Sequence, residues 1–557
     1  MNSLNLISSR HDTEMEASTP PAKKKLIADW KTLNRIFIRP EDDDNRRALF
    51  KHMEQILFGL HDFLQKHVGI TEEASLKELA DRFTDTLIQP HPEKRLSEVI
   101  SDLVHQIAPH AVNVASPYFI GHMTSAIPYF MVHLKTITAA LNQNVNKAET
   151  SKVLSIIEKQ VLAKIHRLIF KMPTAFYDEH VQNPATALGC FTEGGTLANI
   201  TALWVARNSL LAPKGDFNGC EQDGVVAGLQ AHGIERCVIL VSRLGHFSLR
   251  KAAGLLGIGN RNVLSIDVDA GNRIKLSALK QCLRDIQATQ GRTRVIAIVG
   301  IAGATETGSI DPLPQLAEIC AEHGIYYHVD AAWGGPTLLS EKYGHLLEGI
   351  HLADSVTVDG HKQLYMPMGC GMVYFKNPHI LERIAYHARY IARQGSVDLG
   401  IRTLSGSREA NSLVLASALQ IMGSRGYSLL IEHGIATAKS FAAQIKKRPL
   451  FQLVTEPRLN ILTYRVCPPE IKAELESADT LQRRRLNAYL NDMNRGIQVL
   501  QREGGVSFVS RTTLYEKNSL EDPIVVLRSV IMNPLTTLKI LNEILDEQEK
   551  IYRDNYL

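Results

Sequence analysis

Four short, strongly apolar runs separated by helical patterns are the feature that most limits how this chain can fold. The runs are RCVILVS (236–242), RVIAIVGIA (294–302), YYHVDAA (326–332) and SVTVDG (355–360). Between them lie patterns typical of helices, such as PLPQLAEICAEHG (312–324), which opens with prolines and stops at a glycine. Near-continuous apolar strands that alternate with helices indicate a mainly parallel sheet covered by helices on both faces. The chain is therefore predicted to have an α/β fold.

The regions on either side of these runs have a different character, and 557 residues exceed a single compact core. The first region is predicted to be a disordered leader, and the second a helical arm without a core of its own, as in HMEQILFGLHDFLQKHV. A large α/β domain follows, and then a small α+β domain with strand-like runs such as LNILTYRV, VSFVSRTTLYE and PIVVLRSVIM and two long helical patterns. The predicted boundaries of the four regions are 1–25, 26–114, 115–400 and 401–557.

Composition excludes several classes of protein. A net charge of +4 is too small to indicate a nucleic-acid surface. The run Lys23–Lys25 follows two prolines in a Ser/Thr-rich tail, so a solvated leader is favoured over a targeting or membrane patch. No apolar run approaches the roughly 18 residues that cross a bilayer, and charged residues from Arg10 onward interrupt any signal peptide. Seven scattered cysteines without a C-x-x-C pair favour free thiols in a cytoplasmic protein and predict no metal site.

Ligands of parallel α/β sheets bind beyond the carboxyl ends of the strands, so the residues that follow each strand are candidates for a site. Gly194, Gly195 and Thr196 stand where a loop becomes a helix, and the free N–H groups there can hold a phosphate. An ordinary helix N-cap explains these three residues equally well. His246 follows the first apolar run and can stack on an aromatic ring, although a structural histidine is the simpler explanation for it alone.

Two further candidates follow the third and fourth runs. Asp330 ends an apolar strand, where a buried carboxylate needs a partner such as a protonated pyridine nitrogen, unless it caps the next helix. Ala331 and Ala332 are small enough for a flat ring to lie against the backbone. Lys362 lies one helix-and-strand crossover after Asp330, where a partly desolvated amine can bond an aldehyde. The neighbouring His361 is placed to contact a phosphate. Together the glycine-rich loop at 194–196, His246, Asp330 and Lys362 predict a site for pyridoxal phosphate.

The motifs HVDAAWGG, DGHK and GIAGATETGSIDP resemble those of the group II pyridoxal-phosphate-dependent amino-acid decarboxylases, and the resemblance runs from about residue 115 to 534. It implies the aspartate-aminotransferase type of fold (fold type I), a homodimer with shared active sites wrapped by the N-terminal helices, and a cofactor or substrate contact from Thr305. The segments YFIGHMTS, ALNQNVNKAETS and ARQGSVDLGIRTLSGSRE look closest to a bacterial subgroup, the pyridoxal-dependent aspartate 1-decarboxylases, which make β-alanine for pantothenate and coenzyme A.

The resemblance also implies roles for single residues. Lys362, Asp330 and His246 would be catalytic, with the ring held between His246 and Ala332. Arg408 aligns with an arginine for the substrate α-carboxylate, although a surface ion pair is its alternative. Tyr390, in the loop segment 386–400, is the candidate proton donor.

An acidic substrate needs polar contacts, which are expected from four side chains of the segments HMTS and LNQN: His122, Thr124, Asn142 and Asn144. These residues argue against an aromatic substrate but do not separate aspartate from glutamate, which differ by one methylene. The subgroup favours aspartate, with glutamate and then cysteine sulfinate as alternatives. Outside enzymes, the alternative is a catalytically silent interaction protein, against which the intact set of Lys362, Asp330 and His246 argues.

Overall fold

The computed structural model describes residues 26–30, 43–65, 68, 76–387, 397–515 and 522–557. The predicted leader, residues 1–25, lies outside these ranges. Contacts within the chain separate two compact units, one formed by the described residues up to 63 and from 76 to 110, the other by the remaining residues, chiefly 111–557. No helix among the described residues is long and apolar enough to cross a membrane.

The N-terminal unit is helical. Its helices are α1 (Asp43–Gln65), α2 (Leu76–Asp81) and α3 (Leu96–Asp102), followed by short turns of π- and 3₁₀-helix to His110. Of the described apolar side chains in this unit, only Ile100 and Val104 are buried. Large apolar groups such as Phe50 and Phe58 are exposed in the single chain. A unit with so little buried apolar surface gains little stability from its own packing.

The second unit is built on a seven-stranded sheet in the order β1-β7-β6-β5-β4-β2-β3. Strands β2 to β6 are parallel, and β7 runs antiparallel to both β1 and β6. The four predicted apolar runs form β2, β4, β5 and β6, which confirms the predicted α/β class. The strands are β1 (Gly189–Thr192), β2 (Arg236–Ser242), β3 (Val263–Ile266), β4 (Thr293–Ile301), β5 (Tyr326–Asp330), β6 (Ser355–Asp359) and β7 (Gly371–Phe375).

Helices cover both faces of this sheet and bury two large apolar clusters against it. The predicted helix over 312–324 begins after Pro312 and ends at Gly324, whose φ of 61° is the left-handed conformation that suits a helix C-terminus. The helices of this part are α4 (Phe130–Leu141), α5 (Ala148–Ser151), α6 (Val153–Phe170), α7 (Thr174–His180), α8 (Gly195–Leu210), α9 (Cys220–His232), α10 (Phe247–Leu255), α11 (Leu276–Gln287) and α12 (Leu313–His323).

The C-terminal part carries a second sheet, which is antiparallel and has the order β10-β11-β9-β8. Its helices pack on the sheet around a separate apolar cluster that includes Phe441, Tyr464 and Leu541. The predicted small α+β arrangement is confirmed. Its elements are α13 (Asn411–Lys447), β8 (Phe451–Thr455), β9 (Ile461–Val466), α14 (Pro469–Ser477), α15 (Thr480–Gly504), β10 (Ser510–Tyr515), β11 (Pro523–Val530) and α16 (Leu538–Tyr556).

Candidate active site

A cavity of about 450 Å³ opens at the carboxyl ends of the central parallel strands. Residues that directly follow β1, β2, β4, β5 and β6 supply most of its wall, as expected for a sheet of this topology. The lining residues are Glu193, Gly194, Gly195, Thr196, Leu197, Asn199, Leu244, His246, Ile301, Gly303, Thr305, Asp330, Ala332, Trp333, Asp359, His361, Lys362 and Met368.

The amine of Lys362 lies at the base of a tight turn after β6. Its Nζ is 3.0 Å from Oδ2 of Asp359, the last residue of that strand. The Asp359 side chain is buried, and its Oδ1 has no hydrogen-bond partner among the described residues. A buried carboxylate beside an amine keeps the amine in one place, and the unpartnered oxygen leaves room for a further donor.

Asp330, at the end of β5, presents a buried carboxylate to the same cavity. Its Oδ2 accepts a hydrogen bond from Nδ2 of Asn199 at 2.9 Å, and its Oδ1 accepts one from the backbone N–H of Ala332 at 3.2 Å. Both donors are neutral. No cationic side chain of the described residues lies within hydrogen-bond distance of the Asp330 carboxylate. Such a carboxylate is suited to a cationic ligand group.

His246 also lines the cavity, and it is the N-terminal capping residue of α10. Its Nδ1 is 2.8 Å from the Ser248 hydroxyl and also accepts from the Ser248 backbone N–H. Burial lowers the pKa of His246, the carboxylate of Asp330 opposes that shift, and the charge of Lys362 adds to it. A neutral imidazole held at Nδ1 can present its flat face to an aromatic ring.

The start of α8 forms a cradle for an anion. The first-turn N–H groups of this helix have no partner within the helix. A Cβ at Gly195 would be 2.8 Å from Oδ2 of Asp359, and one at Gly194 would be 3.4 Å from the ring of His361. Glycine is therefore required where the backbone meets Asp359, and His361 stands beside the same loop.

These groups fit pyridoxal phosphate. The α8 cradle and His361 match its phosphate, Asp330 matches a protonated ring nitrogen, His246 and Ala332 match the two ring faces, and Lys362 matches the aldehyde. The described residues contain no group of three or more histidine, cysteine, aspartate or glutamate side chains that could hold a metal ion. All nine residues predicted to bind the cofactor line this one cavity: Gly194, Gly195, Thr196, His246, Thr305, Asp330, Ala332, His361 and Lys362.

Arg408, predicted to bind the substrate α-carboxylate, is not among the residues that line this cavity in the single chain. Its guanidinium is buried and forms a two-point ion pair with Glu158, with N–O distances of 2.5 and 3.2 Å. Its Nη2 also donates to Oδ1 of Asn146 at 2.8 Å. These bonds use three of the five N–H donors of the guanidinium and join α6 to the segment before α13, while Nε has no partner among the described residues.

The four polar residues predicted to contact the substrate also lie outside the cavity wall of the single chain. Asn142 adopts a left-handed conformation at the end of α4, with φ of 45°. Asn144 binds the Arg408 segment, because its Oδ1 accepts from the backbone N–H of Arg408 at 3.1 Å. His122 lies near Arg528, and Thr124 is partly buried. Tyr390, the predicted proton donor, lies outside the described residues.

Arg528 is a residue whose importance the sequence did not indicate. It lies near the C-terminal end of β11, its side chain is buried, and it donates from Nε to the carbonyl of Thr305 at 2.6 Å. Its Nη1 donates to the carbonyl of Gly121 and the hydroxyl of Ser510. Burial lowers its pKa to about 10, and the charge of Glu306 opposes that shift without forming an ion pair. The guanidinium thus stays charged at neutral pH next to a cavity residue, with no carboxylate bound to it among the described residues.

Comparisons with known proteins show which proteins the chain resembles in sequence and in fold. Residues 79–467 match the family model described as the pyridoxal-dependent decarboxylase conserved domain. The chain is 45% identical over 528 residues to an aspartate 1-decarboxylase from Aliivibrio fischeri, which covers 95% of each chain. It is 31% identical over 417 residues to an L-aspartate decarboxylase from Metarhizium robertsii, which covers 70% of this chain and 78% of the relative. The crystal structure of mouse CSAD superposes with a TM-score of 0.77 at 23% identity, over 90% of this chain and 99% of the other, which confirms the predicted fold type.

Proposed function

The chain belongs to the pyridoxal-dependent decarboxylase family, and from that premise we propose that it removes the 1-carboxylate of L-aspartate, giving β-alanine and CO₂. The observation that carries the proposal is the joint placement of Lys362, Asp330 and His246 around one cavity. The choice of aspartate rests on the relative from Aliivibrio fischeri, which is described as an aspartate 1-decarboxylase and matches along nearly the whole chain. β-Alanine would then feed the pantothenate and coenzyme A supply.

The residues of the cavity have different roles in the proposed reaction. Pyridoxal phosphate, when bound, accepts the electron pair that the loss of CO₂ leaves on Cα. Asp330 favours the protonated form of the ring nitrogen, because its carboxylate has no other cation to bind. Lys362 supplies the amine that holds the cofactor, and Asp359 keeps that amine in place. His246 and Ala332 would lie against the two faces of the ring and limit how far it can tilt.

We assign the binding of a substrate carboxylate to Arg528 in place of Arg408. A buried guanidinium without a bound carboxylate is costly, and an anionic ligand offsets that cost. Arg528 does not itself line the cavity in the single chain, but its hydrogen bond to the carbonyl of Thr305, which does, supports the assignment. We expect R528K to raise KM for the amino acid by about tenfold or more, because lysine lacks the two-point geometry of a guanidinium. R408K should leave KM within about twofold of the wild-type value.

We also propose that the enzyme is a cytoplasmic homodimer whose subunits share their active sites. All seven cysteines are free thiols, which suits a reducing compartment. On the isolated chain, α4 exposes Val132, Ile137 and Leu141, and the N-terminal unit exposes large apolar groups of its own. A second copy would cover such surfaces. Light scattering should give twice the chain mass of 61.9 kDa, and a monomer at micromolar concentration would contradict the dimer.

The activity is tested by incubating the purified protein and pyridoxal phosphate with aspartate, glutamate or cysteine sulfinate, and measuring CO₂ and the amine product. We expect β-alanine from aspartate to form fastest. Faster release of γ-aminobutyrate from glutamate would overturn the substrate assignment. K362A should lose both turnover and the visible absorbance of the bound cofactor. A K362A protein that behaves like the wild type would refute the cofactor site.

A further inference from the structure

Behind Asp330 lies a buried set of hydrogen bonds that none of the roles above uses. Its centre is Asn199 on α8, which is 1% exposed. The Nδ2 of Asn199 donates to Asp330 at 2.9 Å and to the Ser248 hydroxyl at 3.0 Å. Its Oδ1 accepts from the Thr357 hydroxyl at 2.8 Å and lies 3.1 Å from Nε2 of His328. All four hydrogen-bonding positions of the amide are occupied.

The chemistry of these groups allows one arrangement. A carboxylate only accepts hydrogen bonds, so the amide nitrogen of Asn199 must face Asp330 and the amide oxygen must face away. That oxygen only accepts, so His328 must carry its proton on Nε2. The other ring nitrogen of His328, Nδ1, lies 2.9 Å from the Ser355 hydroxyl, which can donate to it. The orientation of the Asp330 carboxylate is therefore linked, through Asn199, to the tautomer of His328.

His328 adds no positive charge to this set. Burial lowers its pKa to about 4, although the carboxylate of Asp330 opposes the shift, so the ring is neutral at physiological pH. A charged imidazolium here would compete with the cofactor for the negative charge of Asp330. The neutral ring lets Asn199 hold the carboxylate while its charge stays available on the cavity side.

We propose that Asn199 is a positioning residue, which fixes the Asp330 carboxylate in one orientation and thereby sets how strongly the site prefers a cofactor with a protonated ring nitrogen. The inference rests on the proposed cofactor site but not on the identity of the amino-acid substrate. Thr357 and His328 act one step further back, by holding the amide oxygen of Asn199. Ser248 links the same amide to His246, because its hydroxyl also lies 2.8 Å from Nδ1 of that histidine.

The test compares pyridoxal phosphate with 1-deaza-pyridoxal phosphate, in which carbon replaces the ring nitrogen. Dissociation constants of both compounds are measured by absorbance titration of the full-length apoprotein, for the wild type and for N199A. The dissociation constant of 1-deaza-pyridoxal phosphate divided by that of pyridoxal phosphate isolates the contribution of the ring nitrogen. We expect N199A to reduce that ratio by at least tenfold, the size of one lost hydrogen bond to a charged group.

Asn208 provides a matched control. It lies on the same helix, is also buried, and binds Arg383 and Glu221 outside the cavity. N208A should change the ratio by less than twofold, even if it lowers the unfolding temperature. A purely structural role for Asn199 would weaken the binding of both compounds equally and leave the ratio unchanged, and that result would overturn the proposal.

If N199A does not fold, T357V decides the question. Valine keeps the shape of Thr357 and removes only the hydroxyl that holds the Asn199 oxygen. The ratio should then fall by about three- to tenfold, and an unchanged ratio would overturn the proposal. Failure of the proposed function has a different signature: the wild-type protein would release CO₂ from no acidic amino acid, whatever its preference between the two cofactors.

Discussion

The glycine at the start of α8 offers the most direct test of the cofactor cradle. A methyl group added at Gly195 would be 2.8 Å from Oδ2 and 3.1 Å from Oδ1 of Asp359, and 3.3 Å from Cβ of Ala332. Ordinary contacts between such atoms are about 3.5 Å or longer. In G195A the Asp359 carboxylate must therefore move by roughly half an ångström.

That movement should lower the free energy of unfolding of the apoprotein, because Asp359 is buried and lies 3.0 Å from Nζ of Lys362. Weakening a charge-assisted hydrogen bond of this kind costs about 1.5–3 kcal/mol. Alanine recovers about 0.5–1 kcal/mol over glycine within a helix, less at its first turn. We expect a net loss of about 1–2 kcal/mol in the free energy of unfolding. Cofactor affinity should fall by about tenfold or more, because both the lysine and the cradle are displaced.

Denaturant unfolding of the apoprotein and absorbance titration with pyridoxal phosphate measure the two effects. G254A is the matched control, because Gly254 lies within α10 and a Cβ there would meet nothing within 4 Å. It should keep cofactor affinity unchanged and gain about 0.5–1 kcal/mol of stability. A G195A protein with wild-type stability and affinity would refute the close packing inferred around Asp359.

Three further predictions concern other parts of the molecule. R408M should lower the free energy of unfolding by about 3–5 kcal/mol in denaturant titrations, because it leaves Glu158 buried without its partner, and R408M/E158L should recover most of that loss if the pair is structural. D330N should weaken cofactor binding by about thirty- to hundredfold in absorbance titrations, and an affinity equal to wild type would remove Asp330 from the site. Burial lowers the pKa of His166 to about 4, so the stability it provides is complete above its unfolded pKa of 6.5 and is lost as the pH falls toward 4. From pH 7 to 5 this residue should cost the wild type about 2 kcal/mol in unfolding free energy that H166Q does not lose, and equal pH slopes would contradict that assignment.

The strands of the central sheet could be predicted from the sequence where burial on both faces produced a long apolar run. β2, β4, β5 and β6 agree with the predicted runs to within two residues at either end. β1 has only four residues, and β7 is as apolar as its neighbours although it runs antiparallel to them. The direction of a strand cannot be predicted from an apolar run such as GMVYF, because strand direction depends on the connections between strands.

Sheet topology also explains which of the predicted site residues lie together in the structure. Residues directly after strands could be assigned to the cavity because sheet topology brings strand ends together. The two arginines were a different problem, since the partner of a side chain depends on distant packing. Arg408 stands in a polar segment, yet Glu158, 250 residues earlier, binds it. Arg528 stands in an apolar strand that gives no sign of the cavity nearby, and only the fold brings it to Thr305.

The order of strands in the sheet has a consequence for how the protein matures. The cavity proposed to bind the cofactor is lined by residues from Glu193 to Met368, and β1 can pair with its neighbour β7 only when residue 371 and beyond are present. During synthesis, a chain of 350 residues would already have the phosphate loop and Asp330 but neither Lys362 nor the strand that closes that edge of the sheet. If the cofactor binds in this cavity as proposed, its capture would report that the whole α/β region has been made and assembled, because shorter chains would lack the lysine proposed to hold it.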